Sequence, residues 1–103
     1  GPRATGYNNN KVWTQLTVVP RTGDILQVYN AAKGRYSHSV IVTQVNSTSL
    51  TVNNKDMWLN NIFVSQHTEH LLDRSLRDLI INNGGQTACK IRLIRPKSAT
   101  FSE

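Results

Sequence analysis

Cysteine is almost missing from this chain: Cys89 is the single thiol in 103 residues. One thiol excludes a disulfide framework and a cysteine-built zinc site. Long apolar runs are missing too, and nothing approaches the roughly 20 residues of a membrane-spanning helix. No secretory signal pattern is visible. Acidic side chains are scarce, 6 against 12 Lys and Arg, which gives a formal net charge of +6 and a pI near 10.0. Such a chain favours anionic surroundings, whether nucleic acid, an acidic membrane surface or an anionic cell-wall polymer. Charge of this kind also serves solubility alone. The bases are scattered up to Lys55 and thicken from Arg74 to Lys97, with no compact run of five. A dedicated nucleic-acid arm is therefore not indicated, and nucleic acid ranks behind other partners.

What is present fits one small domain with a modest core. Asparagine is abundant, which favours turns over long helices. Residues 1–11 read as a flexible leader, 12–96 as one β-rich domain and 97–103 as a tail. Gly1-Pro2 has the look of a scar left by a tag-removing protease, which allows a longer, secreted parent chain. Residues 12–19 read as an extended segment ended by Pro20. After the turn at Gly23, residues 24–29 read as a strand and 30–35 as a hairpin loop. Residues 38–45 carry β-branched side chains on both faces, as a central strand does. Residues 49–52 read as a strand, 53–61 as a polar loop and 62–67 as a further strand. Leu72, Leu76, Leu79 and Ile80 then recur at helical spacing, with Ser75 and Asp78 as a capping pair and Gly84-Gly85 as the stop. Residues 88–94 alternate as a last strand before Pro96. The expected fold is α+β, a mostly antiparallel sheet of about five strands with one short helix.

Two histidines stand at strand ends. His38 opens the central strand, where a rigid base can hold a ring nitrogen within about 3 Å of a nucleophile. A half-buried structural histidine is the plainer alternative. His67 ends the strand of residues 62–67. If that strand lies beside the central one, the imidazoles meet, one as base and the other as its orienter. A metal site is not expected: Asp24 is the only carboxylate placed near, and no closely spaced histidine pair exists. No cofactor is indicated. His70 reads as surface. Asp24 reads as a turn cap or as an ion-pair partner of Arg21 or Arg35. Trp13, Trp58 and Tyr36 are candidates for a substrate groove, with core packing as the alternative for the tryptophans. Cys89 precedes an alternating strand rather than a helix, so it reads as a small buried hydrophobe.

Gly23-Asp24-Ile25-Leu26, His38-Ser39-Val40-Ile41-Val42-Thr43, Ser65-Gln66-His67-Thr68 and Ser75-Leu76 follow one another over roughly residues 22–80. In order and content they resemble the C-terminal half of the bacterial putative amidase domain, a papain-like relative of the NlpC-type and CHAP cysteine hydrolases. The resemblance implies a papain-like half-domain, with His38 as the base that activates a cysteine and His67 as the third, orienting residue. It implies amide hydrolysis through a thioester, on cell-wall peptides or related amides, in a secreted or cell-wall-associated enzyme or an antibacterial toxin. A cytoplasmic place is not excluded. In such domains the cysteine lies upstream, in an Asp-Cys-x-Asn-Phe-type helix start, and nothing of that kind precedes His38. The expectation is therefore that another segment or a second chain supplies it. Cys89 would serve only in a circularly permuted arrangement. The alternative from a different class is a non-catalytic basic domain that holds an anionic polymer or a partner protein.

Overall fold

The computed structural model describes residues 4–66 and 73–97. Their strands form one antiparallel sheet: β1 (Ala4–Tyr7), β2 (Ile25–Asn30), β3 (Arg35–Val45), β4 (Ile62–Ser65), β5 (Arg74–Ser75) and β6 (Ile91–Pro96). The spatial order is β1-β6-β2-β3-β4-β5. Two short helices, α1 (Lys55–Asn61) and α2 (Leu76–Ile81), join it. The fold is α+β, as expected, with six strands rather than five and two helices rather than one.

The pleat sorts the side chains. Leu26 faces Val40 on one side and Leu93 on the other, Val28 faces Ile91, and Val42 faces Val64. All are buried. Trp58 and Leu59 of α1 and Leu76, Leu79 and Ile80 of α2 complete the same core. The helices therefore cover one face of the sheet. The other face carries Ile25, Gln27, Ser39, Ile41, Arg92 and Ile94, all half-buried.

Several elements differ from the sequence expectation. Ala4–Tyr7, expected within a flexible leader, pair with Pro96 to Leu93 as an edge strand. Asn8 and Asn10, both at positive φ, turn the chain back after it. This is a conformation Asn tolerates better than most residues. Residues 12–19 are not a strand. Val12 makes a lone bridge to Lys90, and Trp13–Gln15 form a single 3-10 turn. Trp13 is tied down instead by its backbone N–H to Cys89 O (2.8 Å) and its indole N–H to Gln86 O (3.0 Å). Residues 49–52 form no strand either. The Asn54 amide accepts from Thr51 N and donates to Ser49 O, so local bonds replace a ladder. The expected polar loop at 53–61 contains α1. Its polar residues face out, while Trp58 and Leu59 are buried, and burial outweighs a weak local propensity.

The N-cap half of the capping expectation for α2 is met: Ser75 Oγ accepts from Asp78 N at 3.2 Å. Gly84, at φ 113°, follows the helix where a side chain would be strained. The tail beyond residue 97 and the expected helical position Leu72 lie outside the described residues.

Candidate active site

His38 takes its place from the β3 pleat. It shares a face with Val40 and Val42 and lies across from Val28. Val40 is buried and His38 half-buried. The imidazole borders a cleft of about 50 Å³, walled by Val40 and Val64 of the sheet, Leu79 of α2, and the polar Ser65, Gln66, Arg74, Asn82 and Asn83. A second cleft, of about 350 Å³, shares Asn82 and Asn83 and extends past Tyr29, Gly84, Ala88 and Lys90. The first is large enough for a ring edge and a water, and the second falls in the range of small-ligand pockets. Among the described residues no side chain hydrogen-bonds the His38 imidazole, and no three-residue metal-binding cluster occurs. Both ring nitrogens are thus uncommitted within this part of the chain.

The expected adjacency of the two strands is present. β3 and β4 are antiparallel neighbours, with Ile41 across from Ser65. His67 and His70 lie outside the described residues. Gln66, the last described residue before them, and Arg74, just after them, both wall the His38 cleft.

The other candidates lie elsewhere. Cys89 is fully buried and borders neither cleft. Burial pushes its thiol up to about 11, so at neutral pH it is neither exposed nor ionised. Trp58 is not a groove residue. It is wholly buried, donates its indole N–H to Thr51 O at 2.8 Å, and lies 6.3 Å from the Trp13 ring. Trp13 is likewise core. Tyr36 is on the opposite face from His38. A bulge opposite Val28 and Tyr29 makes Ser37 the extra residue and turns Tyr36 outward, under the Arg92 guanidinium at 4.2 Å. Asp24 does cap its turn, accepting from Arg21 N at 2.7 Å. Its ion-pair partner is Arg95, at 2.9 and 2.7 Å, rather than Arg21 or Arg35. The hydrogen bond to Asp24 raises the Arg95 pKa, and burial opposes it.

Gln66, Asn82 and Asn83 were not among the residues singled out from the sequence. Asn82 and Asn83 follow the last turn of α2 and read as ordinary loop asparagines. Only the packing of α2 on the sheet brings them to His38.

A six-stranded antiparallel sheet with helices on one face defines a small α+β domain, and an imidazole borders a polar cleft at one end of its core. A family model described as "Putative amidase domain" matches residues 1–92. The chain belongs to that family, whose description is that of an amidase-type hydrolase. Comparison with curated proteins and with solved structures found no match. No helix among the described residues is long and apolar enough to cross a membrane.

Proposed function

We propose that this chain is the histidine-bearing portion of a cysteine-dependent amidase or peptidase of the papain-like, NlpC- and CHAP-related kind. Its substrate is an amide bond in a cell-wall peptide or a related molecule, and its place of action is outside the cell or at the wall. The observation that carries the proposal is His38 at the open end of the core, facing a cleft of neutral polar groups and Arg74, in a chain of the amidase-domain family. Cys89 is buried away from that cleft, so the nucleophile comes from another segment or a second chain.

In the reaction, His38 takes the proton of that cysteine thiol. The thiolate attacks the amide carbon, and His38 returns the proton to the departing amine. A water deprotonated by His38 then attacks the thioester, releasing the acid and the thiol. His67 is the expected orienter of His38, and Gln66, Asn82 or Asn83 could take that place from the cleft wall.

The test is expression of the coding sequence together with whatever precedes Gly1, assayed on a synthetic wall peptide. His38→Ala should lower kcat about 10²- to 10⁴-fold with the circular dichroism spectrum unchanged, and Cys89→Ser should keep the activity. Unchanged turnover in His38→Ala, or loss of turnover in a folded Cys89→Ser, would overturn the assignment.

A further inference from the structure

The charge of this molecule is segregated. Asp56, Asp73 and Asp78 match Lys55, Arg74 and Arg77 on the side of α1, α2, β4 and β5. Across β2, β3, β6 and their connecting turns, Arg21, Lys33, Arg35, Lys90, Arg92 and Arg95 face a single acid among the described residues, Asp24. Arg95 consumes that acid in the one ion pair found among the described residues.

Arg92 is held quite differently. Its Nε and Nη2 both donate to Gln27 Oε1, at 2.9 and 2.6 Å, and its Nη1 donates to Asn9 Oδ1 at 3.1 Å. Its flat face rests on Tyr36. Every partner is neutral. Among the described residues the guanidinium is fixed in orientation while its charge meets no acid, and two of its five N–H groups remain for another acceptor. It opens onto a surface hollow of about 370 Å³ bordered by Gly6, Asn9 and Ile94. Gly6 contributes no side chain there, so an incoming group can approach the strand closely.

A second cation continues the row. Lys90 Nζ lies 5.2 Å from the centre of the Tyr29 ring, and Tyr29 packs edge-on against Tyr36 at 5.2 Å. Residues two apart on one strand are about 6.6 Å apart. Lys90, just before β6, and Arg92, within it, therefore place two basic side chains next to each other on one face.

We propose that this uncovered sheet face is a polyanion site, with Arg92 as its anchor, and that its ligand is a phosphodiester polymer without bases, of the polyol-phosphate kind. Charge complementarity selects the anion, and two neighbouring cations favour a ligand with successive charges over a single ion. The aromatic faces select against nucleic acid. Arg92 takes one face of Tyr36 and Lys90 lies against Tyr29, which reduces the ring surface left for a base to stack on. The choice of a wall polymer rests on the reading above; the site needs no turnover, its anchor Arg92 lies on the opposite face from His38, and its Tyr29 and Lys90 reach the edge of the larger cleft beside Asn82 and Asn83. Its use would be to hold the domain on the wall while the cleft acts on a peptide.

The experiment is calorimetric binding of poly(glycerol phosphate) to the His38→Ala protein, which separates binding from hydrolysis. Affinity should fall steeply between about 50 and 200 mM salt. Gln27→Glu leaves an acceptor for Arg92 but neutralises it in place, and should weaken binding about tenfold or more; Arg92→Gln should do the same. Arg77→Gln, on the balanced side, should change nothing. The melting temperature of each variant verifies its fold. Parental affinity in folded Gln27→Glu and Arg92→Gln would overturn the site, and tighter binding of an oligothymidylate of equal length would overturn the ligand. Inactive enzyme with intact, Arg92-dependent binding would count against the hydrolase alone.

Discussion

Cys89 is a small apolar side chain by behaviour, whatever its chemistry in water. Its thiol ionises near 9 when the chain is unfolded and near 11 when buried in the core. Between those values the unfolded state gives up the proton while the native state keeps it, so rising pH favours unfolding. Stability should fall by about 2 kcal/mol from pH 9 to pH 11. Urea titrations across that range should show the loss in the parent and not in Cys89→Ala. Iodoacetamide at neutral pH should label Cys89 slowly in the native protein and quickly in urea. Asp24 is the second residue whose role follows from burial. It is 2% exposed and satisfied by Arg95 and by Arg21 N. Asp24→Asn should cost about 3 kcal/mol, the lower end for breaking a buried pair, because Arg95 keeps a fifth of its side chain in water. The check is the urea midpoint at pH 7.

At the scale of elements, α2 governs the cleft. It buries Leu76, Leu79 and Ile80 and delivers Asn82 and Asn83 to the side of His38. A helix of six residues is marginal by itself, so its N-cap counts. Ser75→Ala removes the bond to Asp78 N and should cost about 1 kcal/mol, read as a lower urea midpoint. Ser75 and Asp78 declared this helix in the sequence because a capping pair is a local device. α1 gave no comparable signal. Asn53, Asn54, Asn60 and Asn61 surround Trp58 and Leu59, and the helix forms because those two side chains are buried in a core built largely from distant parts of the chain. The same reasoning accounts for Trp58 as a core residue where a groove was expected.

At the scale of the molecule, the core is continuous from Trp13 through the sheet to α1 and α2. Both tryptophans belong to it, one contributed before β2 and one by α1. Intrinsic fluorescence and far-ultraviolet circular dichroism should therefore lose their native signals together, at one urea midpoint. Two separated midpoints would show that the helical side and the sheet unfold independently.

Local chemistry in the sequence by itself determined the hairpin at residues 30–35, the central strand with His38 near its start, the α2 cap, the α+β class and the amidase-like order of motifs. Each depends on residues close together in the chain. The fold decided the rest. It paired Asp24 with Arg95, 71 positions apart, since β2 and β6 meet only once the chain between them is folded. It buried Cys89, turned Tyr36 away from His38 through one extra residue in β3, and drew the asparagine-rich start into an edge strand and a turn over Arg92. Those outcomes depend on register and burial, which a periodic pattern constrains only within a single element.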